Sequence, residues 1–273
     1  DLANRIRKIK PSIIGISALS YEYSQVKKLS VYLKGIVPCK IILGGPLPTY
    51  GYDLVLRKTN VDICVLGEGE LTAVDLLENL SSLERVKGIA YKDDGKVILN
   101  APRELISDLD TIPFPAYELL DVNKYSALLM RDIYMSYRNM PNKNKVHRKM
   151  ALEASRGCPF ACNFCSKLFK KIRKRRADKV IEEIKYLKER YNIDIISFHD
   201  ELFFLDKNLI YEFCQKIRPL KVGWYGMIRV DTADRATLEM FKKSGCLTIF
   251  FGVESGSERI LKNMNKGTNP LKI

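Results

Sequence analysis

Short apolar runs alternate with amphipathic stretches along most of this chain. Ser12-Ile13-Ile14-Gly15-Ile16-Ser17, Lys40-Ile41-Ile42-Leu43-Gly44-Gly45 and Val61-Asp62-Ile63-Cys64-Val65-Leu66-Gly67 predict strands covered on both faces. The residues around them carry the longer period of a helix. Residues 2–9 read as an amphipathic helix stopped by Pro11, and residues 22–35 place Val26, Leu29 and Leu33 on one face. A weaker helix is expected at 52–58, and another at 70–80 with Leu71, Val74 and Leu77 facing inward. Strand–helix alternation implies an α/β fold with a parallel sheet between helices, whose ligands bind at the carboxyl ends of the strands. Those ends are Ser17-Ala18-Leu19, Gly44-Gly45 and Gly67-Glu68-Gly69-Glu70. Glycine there admits close approach of a ligand to the backbone, although a plain turn is the commoner explanation.

The pattern then changes twice. Residues 86–99 read as a hairpin around Asp93-Asp94-Gly95. Residues 109–115 hold two prolines and read as extended linker. The expected organisation is a first domain over 1–104, a linker over 105–150 and a second domain over 151–273. In the last, strands are expected at 151–156, 193–199, 222–229 and 247–253, with helices at 178–190, 207–218, 234–243 and 256–264. Repeated βα units of this length point to a partial TIM-like barrel, whose chemistry sits at the strand C-terminal ends. These ends carry Cys158 onward, His199-Asp200-Glu201, Arg229-Val230-Asp231 and Glu254-Ser255. His199 reads as a packed core histidine, with a proton shuttle as its alternative.

Composition adds boundaries. With 273 residues, nearly half of them apolar, the chain is long enough for two ordinary cores. No apolar run reaches the ~18 residues of a membrane span. No signal peptide is visible, and the scattered Cys39, Cys64, Cys214 and Cys246 read as buried thiols, so a reducing cytoplasm is the expected location. The chain starts at Asp1 inside a helical pattern and reads as a fragment of a longer protein lacking both termini. The net charge of +14 raises nucleic acid as a partner, since residues 138–149 hold five Lys/Arg and residues 167–176 hold seven, without an acid in either. Aromatics barely interleave with these charges, and solvated faces explain them as well.

The sharpest chemistry lies in Cys158-Pro159-Phe160-Ala161-Cys162-Asn163-Phe164-Cys165, a C-x3-C-x2-C spacing. Soft thiolates this close converge on one metal centre. Reduced core thiols and zinc are the alternatives, but structural zinc wants four closed ligands, whereas three thiolates on a 4Fe–4S cluster leave one iron open. At these residues the chain resembles the radical S-adenosylmethionine (SAM) superfamily, with signature C-x3-C-x-aromatic-C. The resemblance implies Cys158, Cys162 and Cys165 as cluster ligands and Phe164 against the adenine of SAM. By position it places Asp200 and Glu201 near the amino end of SAM, Arg229 by its carboxylate, and Glu254 and Ser255 at its ribose.

Ser17-x-Leu19 and Gly44-Gly45 resemble the cobalamin-binding domain of proteins in this superfamily, and Gly67-Glu68-Gly69 resembles the end of that domain's last strand. The implied fold is a truncated Rossmann-like (flavodoxin-like) cobalamin-binding domain, without its first two strands, followed by a partial TIM-like radical SAM barrel. Its Asp-x-His-x-x-Gly motif is absent, and the only histidines are His147 and His199. The implied cofactors are a 4Fe–4S cluster, SAM and cobalamin. The implied activity is SAM cleavage to a 5′-deoxyadenosyl radical, then methyl transfer, cyclisation or rearrangement at an unactivated carbon. The implied partners are a small-molecule, natural-product or tetrapyrrole-like substrate and an electron donor such as flavodoxin or ferredoxin. The alternatives are an RNA-modifying radical SAM enzyme, a non-catalytic iron–sulfur electron carrier and a corrinoid-binding sensor.

Overall fold

A computed structural model describes residues 2–128, 147–203 and 206–273. The chain divides into two compact units, Asp1–Ile106 and Ser107–Ile273.

The first unit runs α1 (Leu2–Ile9), β1 (Ile13–Ser17), α2 (Tyr23–Lys34), β2 (Lys40–Gly44), α3 (Pro46–Lys58), β3 (Ile63–Val65), α4 (Glu70–Glu78), β4 (Ile89–Asp93) and β5 (Lys96–Leu99). Its sheet has the order β1-β2-β3-β4-β5. The first three strands are parallel, and the hairpin continues the same sheet antiparallel from β3. Asp94 and Gly95 both have positive φ, which a type I′ hairpin turn requires. Ile41, Leu43, Val55, Leu56 and Cys64 form the centre of the main core.

Three expectations need correction here. β1 is an outer strand with one neighbour, so Ile13, Ile14 and Ile16 are only half-buried rather than covered on both faces. α3 starts at Pro46, well before residue 52, because a proline without an N–H suits the first helical position; the helix bends at Gly51, which blurs its period. In α4 the inward residues are Thr72 and Leu76, while Leu71, Val74 and Leu77 are 53%, 56% and 53% exposed. The bonds of Thr72 Oγ1 to the Glu68 carbonyl and of Arg103 to Asp75 fix that rotation.

The second unit runs α5 (Val122–Leu128), β6 (Lys149–Leu152), β7 (Ser155–Arg156), β8 (Arg173–Lys174), α6 (Ala177–Tyr191), β9 (Ile195–Phe198), α7 (Lys207–Ile217), β10 (Gly223–Ile228), α8 (Arg235–Lys243), β11 (Cys246–Phe251) and α9 (Glu258–Asn263). The order β6-β9-β10-β11 is parallel throughout, and β7 pairs with β8 in a small antiparallel ribbon that the apolar pattern does not announce. Leu152, Ile196, Phe198, Trp224 and Ile228 pack from one sheet face against Val180, Ile184, Leu187, Phe213 and Phe241 of the helices. Phe203, Phe213, Trp224 and Phe241 meet at tilted or edge-on angles with centroids 5.1–5.6 Å apart. Phe114, Tyr117 and Val122, from the stretch expected as linker, also pack on this core. Strand alternation turns the intervening residues, Lys149, Ser197, His199, Tyr225 and Met227, to the opposite face. Among the described residues no helix is long and apolar enough to cross a membrane.

Candidate functional site

The cysteines lie on the loop between β7 and β8. Gly157 opens it with φ +91°, and a Cβ there would stand 2.4 Å from the Lys171 carbonyl oxygen. Only glycine accepts both conditions. The Cys158 amide donates to the Phe169 carbonyl at 3.0 Å, and the Cys165 amide to that of Cys162 at 3.3 Å.

A segment after α9 holds the loop from the other side. The Asn163 amide donates to the Met264 carbonyl at 3.1 Å, Asn163 Nδ2 to that of Asn263 at 2.6 Å, and Asn265 Nδ2 to that of Ala161 at 2.8 Å. Sequence reasoning passed over both asparagines, because a strap of side-chain-to-backbone bonds leaves no periodic or motif signal.

All three thiols are free; Cys158 and Cys162 are half-buried and Cys165 is exposed. Burial pushes the Cys165 thiol up, and the neighbouring Cys158, Cys162 and Glu201 add to the rise. Cationic iron relieves that repulsion by holding thiolates as ligands. Among the described residues no three His, Cys, Asp or Glu side chains close on a single ion. A cluster asks for less, since each thiolate binds its own iron. Three soft donors within electrostatic reach on one glycine-hinged loop fit it.

The other residues assigned to SAM divide into framework and open groups. Asp200 is buried, with its carboxylate accepting from the Ala154 amide at 3.0 Å and from Ser155 Oγ at 2.6 Å. It anchors the strand leading into the loop and faces no open space. Arg229 is also engaged: its guanidinium lies 3.8 Å from the Phe160 ring centroid, chelates Asp231 at 2.9 and 2.7 Å and donates to the Lys266 carbonyl. Glu201 accepts from the Leu168 amide at 3.4 Å, and burial raises its pKa. Glu254 has φ +65° and pairs with Lys266 Nζ at 2.8 Å. That ammonium also stands 5.7 Å from the centroid of Phe164, which is half exposed. Ser255 Oγ accepts from the Ser257 amide. Phe164 on the loop, and Glu201, Glu254 and Ser255 after neighbouring strands, thus keep surface to offer, while Asp200 and Arg229 brace the loop. His199 lies at the end of β9 with part of its surface exposed rather than packed in the core; partial desolvation, then the charge of Lys149, lowers its pKa.

In the first unit, Ser17 pairs in register with Gly44, which brings two of the three strand ends side by side. A Cβ on Gly44 or Gly67 would meet nothing within 4 Å, so both open onto free space. Gly45 is different: φ is +91°, and a Cβ would stand 2.9 Å from the Ala18 carbonyl and 3.1 Å from Ser17 Oγ. Thr49 Oγ1 donates to the Gly45 carbonyl at 2.8 Å and accepts from the Gly67 amide at 3.0 Å, tying these ends together. Leu19 is exposed, Glu68 is turned inward onto the Ile106 amide at 2.8 Å, and Gly69 caps α4. An exposed edge of Ser17, Leu19, Gly44 and Gly67 on a rigid support fits a broad flat ligand.

Four of the seven charges in the basic run 167–176 are engaged by contacts within the fold. Lys174 pairs with Asp206, Arg175 with Glu183 and Arg176 with Asp110, while Arg173 stacks on Phe169. Of the run 138–149, residues 138–146 lie outside the described residues.

These features define an α/β protein with a glycine-edged parallel sheet in one unit and a cysteine loop at the strand ends of the other. Family models match in the same places: the B12 binding domain at residues 1–77 and the radical SAM superfamily at residues 152–272. The chain belongs to the radical SAM superfamily, in the branch that carries a B12-binding domain.

An uncharacterised methyltransferase of Pyrococcus horikoshii is 35% identical over 99% of this chain and 57% of its own length. The anaerobic magnesium-protoporphyrin IX monomethyl ester cyclase of Synechocystis is 30% identical over 94% of this chain and 50% of its own. The chain thus spans about half the length of these curated relatives. Among solved structures, the cobalamin-dependent SAM radical enzyme OxsB, with aqua-cobalamin bound, superposes over 99% of this chain and 39% of its own with a TM-score of 0.74 at 22% identity.

Proposed function

We propose that this chain is the cofactor-bearing part of a cobalamin-dependent radical SAM enzyme that methylates or cyclises a small organic substrate. The observation that carries the reading is the glycine-hinged loop presenting Cys158, Cys162 and Cys165 between two anchoring segments. Those cysteines hold the 4Fe–4S cluster. Phe164 stacks on the adenine of SAM, with Glu254 and Ser255 toward its ribose and Glu201 toward its amino group. Asp200 and Arg229 act one step back, keeping the loop in place. Ser17, Leu19, Gly44 and Gly67 contact cobalamin, and Gly45, Glu68 and Gly69 shape the backbone that presents them. When bound, these cofactors supply reductive cleavage of SAM and transfer or rearrangement at carbon, while the protein orients and shields them. The relatives named as a methyltransferase and a cyclase support both outcomes. The electron donor is a flavodoxin or ferredoxin.

The test is anaerobic reconstitution. The native chain should bind about four irons, as a three-thiolate 4Fe–4S site requires. Replacing Cys158, Cys162 and Cys165 together with Ala should remove iron and the visible absorbance. Iron retained at the native level by the triple variant defeats the reading. Excess SAM should shift the electron paramagnetic resonance spectrum of the reduced native protein, and an unshifted spectrum points to an electron carrier.

A further inference from the structure

On the sheet face opposite the helices of the second unit lies a charge that the cluster loop does not use. Lys149, at the start of β6, is 7% exposed, and among the described residues it forms no ion pair. Its Nζ stands 5.3 Å from the centroid of Tyr225. Register shows how far the side chain reaches. Lys149 sits level with Ile195, whereas Tyr225 is level with Ser197, one same-face step nearer the strand carboxyl ends. Its charge also acts on His199, one such step further on, where Glu153 opposes it. The ammonium therefore points up the sheet, toward the end where the cysteine loop begins. Beside it Ser197 is fully buried, and its Oγ has no hydrogen-bond partner among the described residues. Ile196 and Phe198 pack on the helices, so alternation turns Ser197 to the lysine's face. Further up, Met227 and Phe250 are 49% and 46% exposed, with the Phe250 ring edge-on to Tyr225 at 6.1 Å.

A buried ammonium without a counter-ion and a buried hydroxyl without a partner both carry a desolvation cost that a bound anion offsets. Ring faces and a thioether above them suit an apolar body. We propose that this face binds a substrate with an apolar, ring-containing body and one anionic group, carboxylate or phosphonate, which Lys149 and Ser197 anchor beneath His199. Its place as the substrate site rests on the radical SAM reading, but the binding itself needs no cluster and is tested without one.

The experiment measures binding of naphthalene-2-carboxylate, naphthalene-2-phosphonate and neutral 2-naphthylmethanol to the cluster-free full chain by equilibrium dialysis. One or both anions should bind at least tenfold tighter than the alcohol, and the order between them assigns a planar or a tetrahedral group. Lys149→Met should abolish the preference, Lys149→Arg should keep most of it, and Ser197→Ala should weaken anion binding severalfold. In the native chain, saturation with the preferred anion should move the His199 ring titration, followed by NMR, to higher pH. Equal binding of anion and alcohol overturns the proposal, as does an unmoved His199 or a preference that survives Lys149→Met. Since no arm depends on iron, failure here and failure of cluster assembly are separate results.

Discussion

Gly157, Gly44 and Gly45 are the same residue type under three different constraints. Alanine at Gly157 must take φ near +91° against the Lys171 carbonyl, and backbone strain of this kind costs about 1–3 kcal/mol. Gly157→Ala should therefore lower the iron bound after reconstitution while the circular dichroism of the helices stays native. Gly45→Ala should lower thermal stability through its contact with Ala18. Gly44→Val, with open space around it, should leave the melting midpoint unchanged and instead reduce corrinoid retained after desalting. Asp200 carries a second residue-scale prediction. Burial outweighs its bonds from Ser155 and Ala154 and lifts its pKa to about 6. The folded protein then holds this proton more tightly than the unfolded chain does. Asp200 thus favours folding below its unfolded pKa of about 4, and that contribution fades as the pH rises to about 6, a loss of up to ~3 kcal/mol. Denaturant titrations from pH 4 to 7 should show a flatter stability profile for Asp200→Asn than for the native chain.

Among elements, α4 separates what periodicity says from what packing does. Leu71, Val74 and Leu77 look like an inward face, yet Thr72 and Leu76 are the buried pair. Leu71→Ser, Val74→Ser and Leu77→Ser should each change the unfolding free energy by no more than about 0.5 kcal/mol. Leu76→Ala should cost about 2–5 kcal/mol in the same measurement. A nine-residue helix with apolar residues on two sides has no single period to read, and its rotation is set by Arg103, far away in sequence. The strap over the cysteine loop was equally hidden, because its bonds join positions about a hundred residues apart. The cysteines were legible, since their chemistry is local and their spacing short. Asn163→Ala with Asn265→Ala should raise the rate at which iodoacetamide labels the three cysteines of the cluster-free protein severalfold, read by mass spectrometry. An unchanged labelling rate counts against the strap.

For the whole molecule, the alternation of strands and helices was legible because each unit repeats it, and so was the Asp94-Gly95 turn. Joining the hairpin to the parallel sheet was not, since strand neighbours depend on tertiary register. Net charge misled in a similar way. The excess of +14 suggests a polyanion partner, but ion pairs and ring contacts across the fold engage four members of the densest basic run. Single-stranded RNA should therefore bind no tighter than the non-specific range, roughly 1–100 µM at physiological salt, by fluorescence anisotropy. One hydroxyl in the first unit couples two turns. Thr49 donates to the turn after β2 and accepts from the turn after β3, a double duty that serine can take over and valine cannot. Thr49→Val should therefore release both turns at once, whereas Thr49→Ser should keep them joined.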